Sequence, residues 1–276
     1  MKLPYVRTVE YLSPSSLRML EEEPVEFYRR RCGPKDDMPD REPQGYPAAV
    51  GSAFDAVVKS LIAVDLGLPC PKLKPMLKEK IENDTHRKQA ISEGLRLGAA
   101  YVACGAMDAL KRDGITAIEP GECIKKVFGI PVRGDLDAIL RDAVPADWKV
   151  IGSGAPGTRS PTQGYARLWT TKKPGLDMGP HKKHGAPLEK YQESWATQLT
   201  MYGWLLGWPV KLPMEYAVDE VVVGNMGHVR VAQHRGTIST DFQRSLRARL
   251  KAAWKRIVTE KVVPDVIGAG EGGRFR

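Results

Sequence analysis

The sequence predicts an α/β protein in which helices flank a central mixed β-sheet. Apolar residues recur at helical spacing in the first half of the chain, and short runs rich in Ile, Val and Leu follow from about residue 122. The order of helices, strands, a further helix, two strands and a closing helix is typical of helices packed around one sheet. With 276 residues, of which 42% are hydrophobic, the chain is long enough to bury the core of one large domain.

The first half of the chain is expected to be helical. Ser13 can cap a helix that has Pro14 in its first turn, and this helix is predicted to continue to about Arg31. A second helix is predicted over residues 50–66, and residues 72–112 form a charged helical stretch. We expect one domain, with a helical part at 1–112, a sheet with flanking helices at 113–262, and a flexible tail at 263–276.

The second half should carry the sheet. Apolar residues recur over 124–132 and again over 136–140. They predict two strands, with the joint between them near residues 129–131, and a third strand is expected at 146–151. The long segment 152–187 is rich in Gly, Pro, Lys and Thr, which is typical of a mobile surface loop. The remaining predictions are an amphipathic helix at 191–206, a strand pair at 215–223 and 228–234, and a basic helix at 241–259.

Composition restricts the possible functions. The net charge of +9 favours a polyanionic partner, although charge alone is weak evidence. The four cysteines are far apart, which argues against a zinc knuckle or iron–sulfur cluster, and the absence of a Gly-Lys dipeptide excludes a Walker A loop. No apolar run reaches the roughly 18–20 residues that span a bilayer, and the N-terminus lacks a signal-peptide core. We therefore expect no membrane association and a cytoplasmic location.

Three polar residues form the candidate reaction centre. Asp147 and Lys149 are two residues apart and share one face of a predicted strand, and Asp137 near the preceding strand end can meet them across a hairpin. Paired carboxylates repel each other unless a cation lies between them, and their hard oxygens suit Mg²⁺ or Mn²⁺. A neighbouring lysine can orient or deprotonate water, or stabilise charge on a phosphate. Taken alone, an Asp-x-Lys triplet is also common in an ordinary surface hairpin.

Two other segments belong with this trio. Gln198 and Tyr202 are four residues apart and so lie on one face of a predicted helix, which is also compatible with an ordinary polar margin. Upstream, Gly51 to Asp55 begins another helix. Asp55 can either point at the site or simply be an acid favoured near a helix N-terminus.

Five segments in this order carry a resemblance to a known family. The chain resembles the RecB-like branch of the PD-(D/E)xK nuclease superfamily, which includes phage-type exonucleases. This resemblance implies a restriction-endonuclease-like core. Its matching segments are Leu12-Ser13-Pro14-Ser15-Ser16-Leu17, Gly51-Ser52-Ala53-Phe54-Asp55, Gly134-Asp135-Leu136-Asp137, Asp147-Trp148-Lys149 and Gln198-Leu199-Thr200-Met201-Tyr202.

The resemblance also implies roles for individual residues. Asp137 and Asp147 would bind the metal, and the backbone carbonyl of Trp148 would complete the coordination. Lys149 would be the catalytic lysine. The Gln-x-x-x-Tyr signature, here Gln198 and Tyr202, would support the site and touch the DNA backbone.

The chain departs from the family pattern in two places. Asp55 stands where the family usually has His, and an Asp there would still suit a hard metal, so Asp55 is a further candidate ligand. The segment between the catalytic lysine and the Gln-Tyr helix is also longer than in the family. Its lysines would either grip a DNA strand or belong to a solvated loop; they are Lys172, Lys173, Lys182 and Lys183.

The sequence therefore predicts a Mg²⁺- or Mn²⁺-dependent deoxyribonuclease. We expect an exonuclease that acts on DNA in recombination, repair or phage DNA processing, with a recombination or replication protein as a possible partner. The alternative from a different class is a catalytically silent module that binds DNA or protein, and a third reading is a site-specific endonuclease or an RNA-directed enzyme. Exo or endo mode, polarity, strandedness and oligomeric state stay open.

Overall fold

The computed structural model describes residues 7–35, 45–69, 73, 77, 84–152, 167–170, 187–223 and 229–260. Within these residues the chain is a mixed α/β protein, as the sequence predicts. The helices are α1 (Pro14–Glu22), α2 (Pro24–Arg31), α3 (Tyr46–Leu66), α4 (Asp84–Ala103), α5 (Ala106–Asp113), α6 (Leu188–Tyr191), α7 (Glu193–Leu205) and α8 (Thr240–Lys255). The strands are β1 (Ile115–Ile118), β2 (Glu122–Val127), β3 (Ile130–Asp135), β4 (Ala138–Leu140), β5 (Pro145–Gly152), β6 (Arg167–Thr170), β7 (Met214–Val223) and β8 (Val229–Ile238).

A mixed sheet forms the centre of the described structure. Its strands lie in the order β1-β4-β5-β7-β8-β6, and β2 pairs with β3 in a separate two-stranded sheet. Strand β5 runs parallel to β7, and the other neighbours in the large sheet are antiparallel. The prediction of a mixed sheet flanked by helices is confirmed. Because β5 lies inside the sheet, its backbone pairs with β4 on one side and with β7 on the other, and this fixes the position of its side chains.

Helices cover both faces of this sheet. One face packs against α3, α4 and α5, where Phe54, Leu97, Trp148 and Val221 share a buried cluster. On the opposite face, Leu199 of α7 packs with Met214 and Val218 of β7 and with Leu188 of α6. A third cluster joins α1, α2, the β2–β3 hairpin and α8. Successive residues of β5 point to opposite faces of the sheet. Trp148 therefore points to the layer of α3 and α4, whereas its neighbours Asp147 and Lys149 point to the layer of α7.

The predicted N-terminal helix is wrong in one respect. A single helix was expected from Ser13 to Arg31, but the chain forms two, separated at Glu23. Pro24 explains the break, because proline lacks an N–H and disfavours the helical conformation in the residue before it. Ser13 does cap the first helix, since its side chain accepts a hydrogen bond from the Ser16 backbone.

The strand boundaries before Asp137 also differ from the prediction. The turn of the β2–β3 hairpin lies at Phe128 and Gly129, both with positive φ, so Ile130 and Pro131 belong to strand β3. The second predicted strand, 136–140, is shortened to β4, which leaves the hairpin and joins the large sheet. Asp137 therefore lies in the connection between the two sheets.

Part of the predicted loop 152–187 is ordered as a strand. Residues Arg167–Thr170 form β6 and pair with β8, which gives the large sheet its last strand. The four lysines predicted either to grip DNA or to belong to a solvated loop (Lys172, Lys173, Lys182 and Lys183) lie outside the described residues, as do the turn at 224–227 and the tail from 263. Among the helices that are described, none is long and apolar enough to cross a bilayer.

Candidate active site

The register of two strands brings the predicted trio together. Ala138 of β4 pairs with Ala146 of β5, so the residue before Ala138 lies opposite the residue after Ala146. These residues are Asp137 and Asp147, whose carboxyl groups are hydrogen-bonded to each other. Lys149 lies two residues further along the same face of β5 and forms an ion pair with Asp147 Oδ2. The structure thus brings together all three residues that the sequence singled out.

Helix α7 extends this group from the other side. Lys149 Nζ donates to Gln198 Oε1 at 2.9 Å, and Gln198 Nε2 donates to Tyr202 Oη at 3.1 Å. Gln198 and Tyr202 meet because residues four apart lie one above the other on a helix. Gly134 makes room for this helix, since a Cβ there would lie 2.8 Å from the Tyr202 ring. Lys149 is therefore held between a carboxylate on its own strand and an amide on the covering helix.

The two central carboxyl groups have opposite protonation tendencies. Burial alone would raise the pKa of Asp137, but the Lys59 ammonium and the hydrogen bond from Asp147 hold it well below its ordinary value. Burial, reinforced by the charge of Asp137 and opposed by Lys149, raises the pKa of Asp147 well above its ordinary value. Asp147 is only 3% exposed. The surroundings therefore favour the charged form of Asp137 and disfavour the charged form of Asp147.

A second lysine, which the sequence analysis did not single out, lies on the other side of Asp137. Lys59 of α3 is 0% exposed, and its Nζ lies 2.6 Å from Asp137 Oδ1 and 2.8 Å from Glu119 Oε1. Asp55, one turn earlier in the same helix, contributes a third contact at 2.8 Å. Burial opposes the charge of Lys59, but these three carboxylates raise its pKa well above the ordinary value. Lys59 is an ammonium ion.

The carboxylates around Lys59 are close enough to hold a metal ion. One oxygen from each of Asp55, Glu119 and Asp137 lies within 4.8 Å of the others. Glu119 reaches this position because it follows β1 in a left-handed conformation (φ 41°), and its N–H donates to the Asp137 carbonyl at 2.9 Å. Lys59 could have been noticed as a charged residue between Val58 and Leu61 on a helix that is otherwise apolar there. Nothing in the sequence around Glu119 distinguishes it from an ordinary turn residue.

An open cleft reaches the site. It has a volume of about 620 Å³, and Lys149, Gln198 and Tyr202 line its inner wall. Arginines and acidic residues alternate further out, with Arg18, Arg31, Arg133, Asp135, Glu21 and Glu193 among them. Residues Lys59, Asp55 and Glu119 do not line the cleft. Asp137 and Asp147 are not among the lining residues either, so Lys149 is the member of the trio that faces the cleft.

Comparison with known proteins adds little to this geometry. No protein-family model matches the chain, and no curated protein matches it. Its structure is similar to a crystal structure from Eubacterium rectale that bears the name "Putative exonuclease", with a TM-score of 0.49 and 14% sequence identity. The alignment covers 93% of this chain and 84% of the other.

The geometry is compatible with a divalent metal at the Asp137–Asp147 pair. Two adjacent carboxyl groups repel each other when both are charged, and a divalent cation between them can supply the positive charge that offsets this repulsion. Both offer hard oxygen ligands of the kind that Mg²⁺ and Mn²⁺ prefer. The indole of Trp148 lies on the opposite face of the sheet and donates to Tyr101 Oη at 3.4 Å. The part expected for its backbone carbonyl stays a prediction.

Proposed function

We propose that the protein is a divalent-metal-dependent DNA nuclease that hydrolyses phosphodiester bonds. One observation carries the proposal. A carboxylate pair, the buried Asp147 and the partly exposed Asp137, adjoins a lysine that faces an open cleft and is held in place by Gln198. Acidic oxygens for a metal and a fixed cation at the wall of a cleft are the groups that phosphodiester hydrolysis requires.

In this proposal Asp137 and Asp147 hold Mg²⁺ or Mn²⁺. The bound ion would polarise the phosphodiester and lower the pKa of a water molecule. The oxygen of that water would form the new bond to phosphorus and lose a proton to solvent, the bond to the leaving oxygen would break, and the leaving oxygen would take up a proton from solvent. Burial of the two carboxyl groups serves this chemistry because electrostatic interactions are stronger away from bulk water.

Lys149 is proposed to act on the phosphate itself. Its ammonium group lies at the cleft wall, where it can donate to a phosphate oxygen and stabilise the negative charge that develops there. Asp147 and Gln198 restrict its position, so less conformational freedom is lost when DNA binds. Burial raises the pKa of Tyr202, so this residue supports Gln198 as a neutral phenol.

The proposal is tested by DNA cleavage with Mg²⁺ or Mn²⁺. We expect Lys149→Ala and Asp147→Asn to lower the rate by at least about 10²-fold, the usual contribution of a group that stabilises a transition state. Matched controls are Lys211→Ala and Asp142→Asn, which make the same chemical changes at exposed positions. Circular dichroism and the unfolding midpoint should show that each variant is folded. Undiminished metal-dependent cleavage by Lys149→Ala would contradict the proposal.

The finer proposal is an exonuclease, for DNA recombination, repair or phage DNA processing. End-labelled linear DNA and covalently closed circular DNA of the same sequence should be digested side by side. We expect cleavage of the linear form alone, because an exonuclease requires an end. Equal loss of the circular form would show an endonuclease instead, and would leave the metal-dependent phosphodiesterase intact as the coarser function.

A second candidate function is a catalytically silent module that binds DNA. The observation that favours it is Lys59, which already provides a positive charge among Asp55, Glu119 and Asp137 without any metal. In that case the protein would bind DNA in a salt-sensitive way, but neither metal would produce cleavage of single- or double-stranded DNA. The cleavage assay described above distinguishes the two functions.

A further inference from the structure

The most unusual group outside the proposed reaction centre is the Lys59 side chain. Its Nζ lies 2.6–2.8 Å from oxygens of Asp55, Glu119 and Asp137, and the residue is 0% exposed. The same three oxygens lie within 4.8 Å of one another, which is the arrangement expected around a bound cation. A cation is therefore present at this position, and it is the ammonium group of the chain itself.

Lys59 has no low-energy way to leave this position for an incoming metal ion. The ammonium group is buried, with the ring of Trp148 6.0 Å away on its inner side. Moving it from three carboxylates into an apolar layer would leave a charge buried without a partner, which is strongly unfavourable. Lys59 itself is 0% exposed, so its ammonium group could reach solvent only past its three carboxylate partners, whose side chains are 17–23% exposed.

The charges of the carboxylates and lysines in this region also leave room for only one divalent cation. Asp55, Glu119, Asp137 and Asp147 supply four negative charges when ionised, and Lys59 and Lys149 supply two positive ones. The remainder is two negative charges, which one divalent cation balances. A second divalent cation would leave the buried group with excess positive charge, which is unfavourable away from water.

We propose that Lys59 is a built-in cation that takes the place of a metal ion. Asp55 and Glu119 then bind this lysine and not a metal, and they are positioning residues that hold Asp137 through Lys59. The site takes one divalent cation, at Asp137 and Asp147. Only this last assignment rests on the proposed nuclease function, and the occupancy of the triad by Lys59 does not depend on it.

The first test counts bound Mn²⁺ by electron paramagnetic resonance in the full chain without DNA. We expect one Mn²⁺ per chain for the wild type and one for Asp55→Asn. Lys59→Met removes the charge but keeps the length of the side chain, so it should open a second Mn²⁺ site. Adding Glu119→Gln to Lys59→Met should close that site again. A wild type that binds two Mn²⁺, one of which is lost in Asp55→Asn, would overturn the proposal.

The second test does not depend on whether Lys59→Met folds. It measures the unfolding midpoint of metal-free Asp55→Asn and Glu119→Gln. Carboxylates that pair with Lys59 stabilise the fold, so both variants should unfold at a lower temperature than the wild type. If the three carboxylates formed an empty metal site instead, removal of one of them would relieve their mutual repulsion and raise the unfolding midpoint. A raised midpoint in either variant would overturn the proposal, and Asp142→Asn is the matched surface control.

These results are separable from those for the nuclease function. A protein that cleaves no DNA but gains a Mn²⁺ site in Lys59→Met would contradict the proposed function and support the built-in cation. If the wild type cleaves DNA but a folded Lys59→Met variant gains no Mn²⁺ site, the result would support the nuclease function and contradict the built-in cation.

Discussion

At the scale of single residues, the polar groups on the two faces of strand β5 belong to two different hydrogen-bond networks. Asp147 and Lys149 face helix α7 and the cleft, whereas Trp148 faces the opposite layer. On that side Tyr101 Oη donates to Asp219 Oδ2 and accepts from the Trp148 indole. Gln233 and Arg235 also donate to Asp219, at 2.7 and 2.9 Å. This second network stabilises the layer behind the candidate active site, and Trp148 is the residue that connects the two.

We predict that Tyr101→Phe lowers stability without lowering cleavage. The substitution removes a buried hydroxyl that bonds two partners, and the free energy of unfolding should fall by about 1–3 kcal/mol. The measurement is urea unfolding followed by tryptophan fluorescence, together with the cleavage rate at a temperature where the variant is folded. Tyr46→Phe, at an exposed tyrosine, should change stability by less than about 0.5 kcal/mol. An unchanged free energy of unfolding in Tyr101→Phe would contradict the prediction.

At the scale of elements, the position of Asp55 and Lys59 depends on how closely α3 and α4 approach each other. Gly94 of α4 lies directly on α3. A Cβ at this position would be 2.6 Å from the Cβ of Ala53 and 2.8 Å from the backbone nitrogen of Phe54. Backbone atoms cannot move aside as the end of a flexible side chain can. The glycine therefore sets the distance between the two helices, and so the height of Lys59 above the sheet edge.

We predict that Gly94→Ala destabilises the protein. The gain in helix propensity is about 1 kcal/mol, but overpacking against a backbone costs about 1–3 kcal/mol, and we expect the cost to exceed the gain. The matched control is Gly51→Ala in α3, where the added Cβ would meet only Val150 Cβ at an ordinary 4.0 Å. Urea unfolding should show lower stability for Gly94→Ala, and equal or higher stability for Gly51→Ala. Equal stability of the two variants would mean that α3 and α4 separate freely.

At the scale of the whole molecule, the net charge of +9 should dominate encounters with DNA. The cleft itself carries both arginines and acidic residues, so its walls are not uniformly positive. Much of the affinity is then expected to come from phosphate contacts, whose contribution depends on the release of counterions and therefore on salt.

We predict that DNA affinity falls steeply with ionic strength. If the protein contacts about six to ten phosphates, the affinity should drop by about 10³–10⁵ between 50 and 200 mM salt. Fluorescence anisotropy with a labelled oligonucleotide, in EDTA to prevent cleavage, measures this dependence. A peptide nucleic acid of the same sequence lacks phosphates and should not show salt-dependent binding. Salt-independent affinity for the oligonucleotide would rule out a mainly electrostatic interface.

The sequence alone determined those features that depend on local spacing. The mixed α/β class followed from helical and strand periodicities, and the shared face of Asp147 and Lys149 followed from their separation of two residues. The four-residue spacing of Gln198 and Tyr202 likewise predicted that they share one face of a helix, and in the structure Gln198 Nε2 donates to Tyr202 Oη. The break before Pro24 is also a local feature, because a proline ends the preceding helix whatever its tertiary contacts.

Tertiary structure alone decided which residues surround Lys59. Asp55 is one helical turn away, but Glu119 and Asp137 come from the ends of β1 and β4, 60 and 78 residues along the chain. No local period relates positions so far apart. Their meeting depends on the register of β4 against β5, on the left-handed residue after β1, and on the close packing of α3 and α4. The sequence therefore predicted the chemical groups of the candidate site, whereas the lysine that fills the neighbouring cation position became visible only in the folded chain.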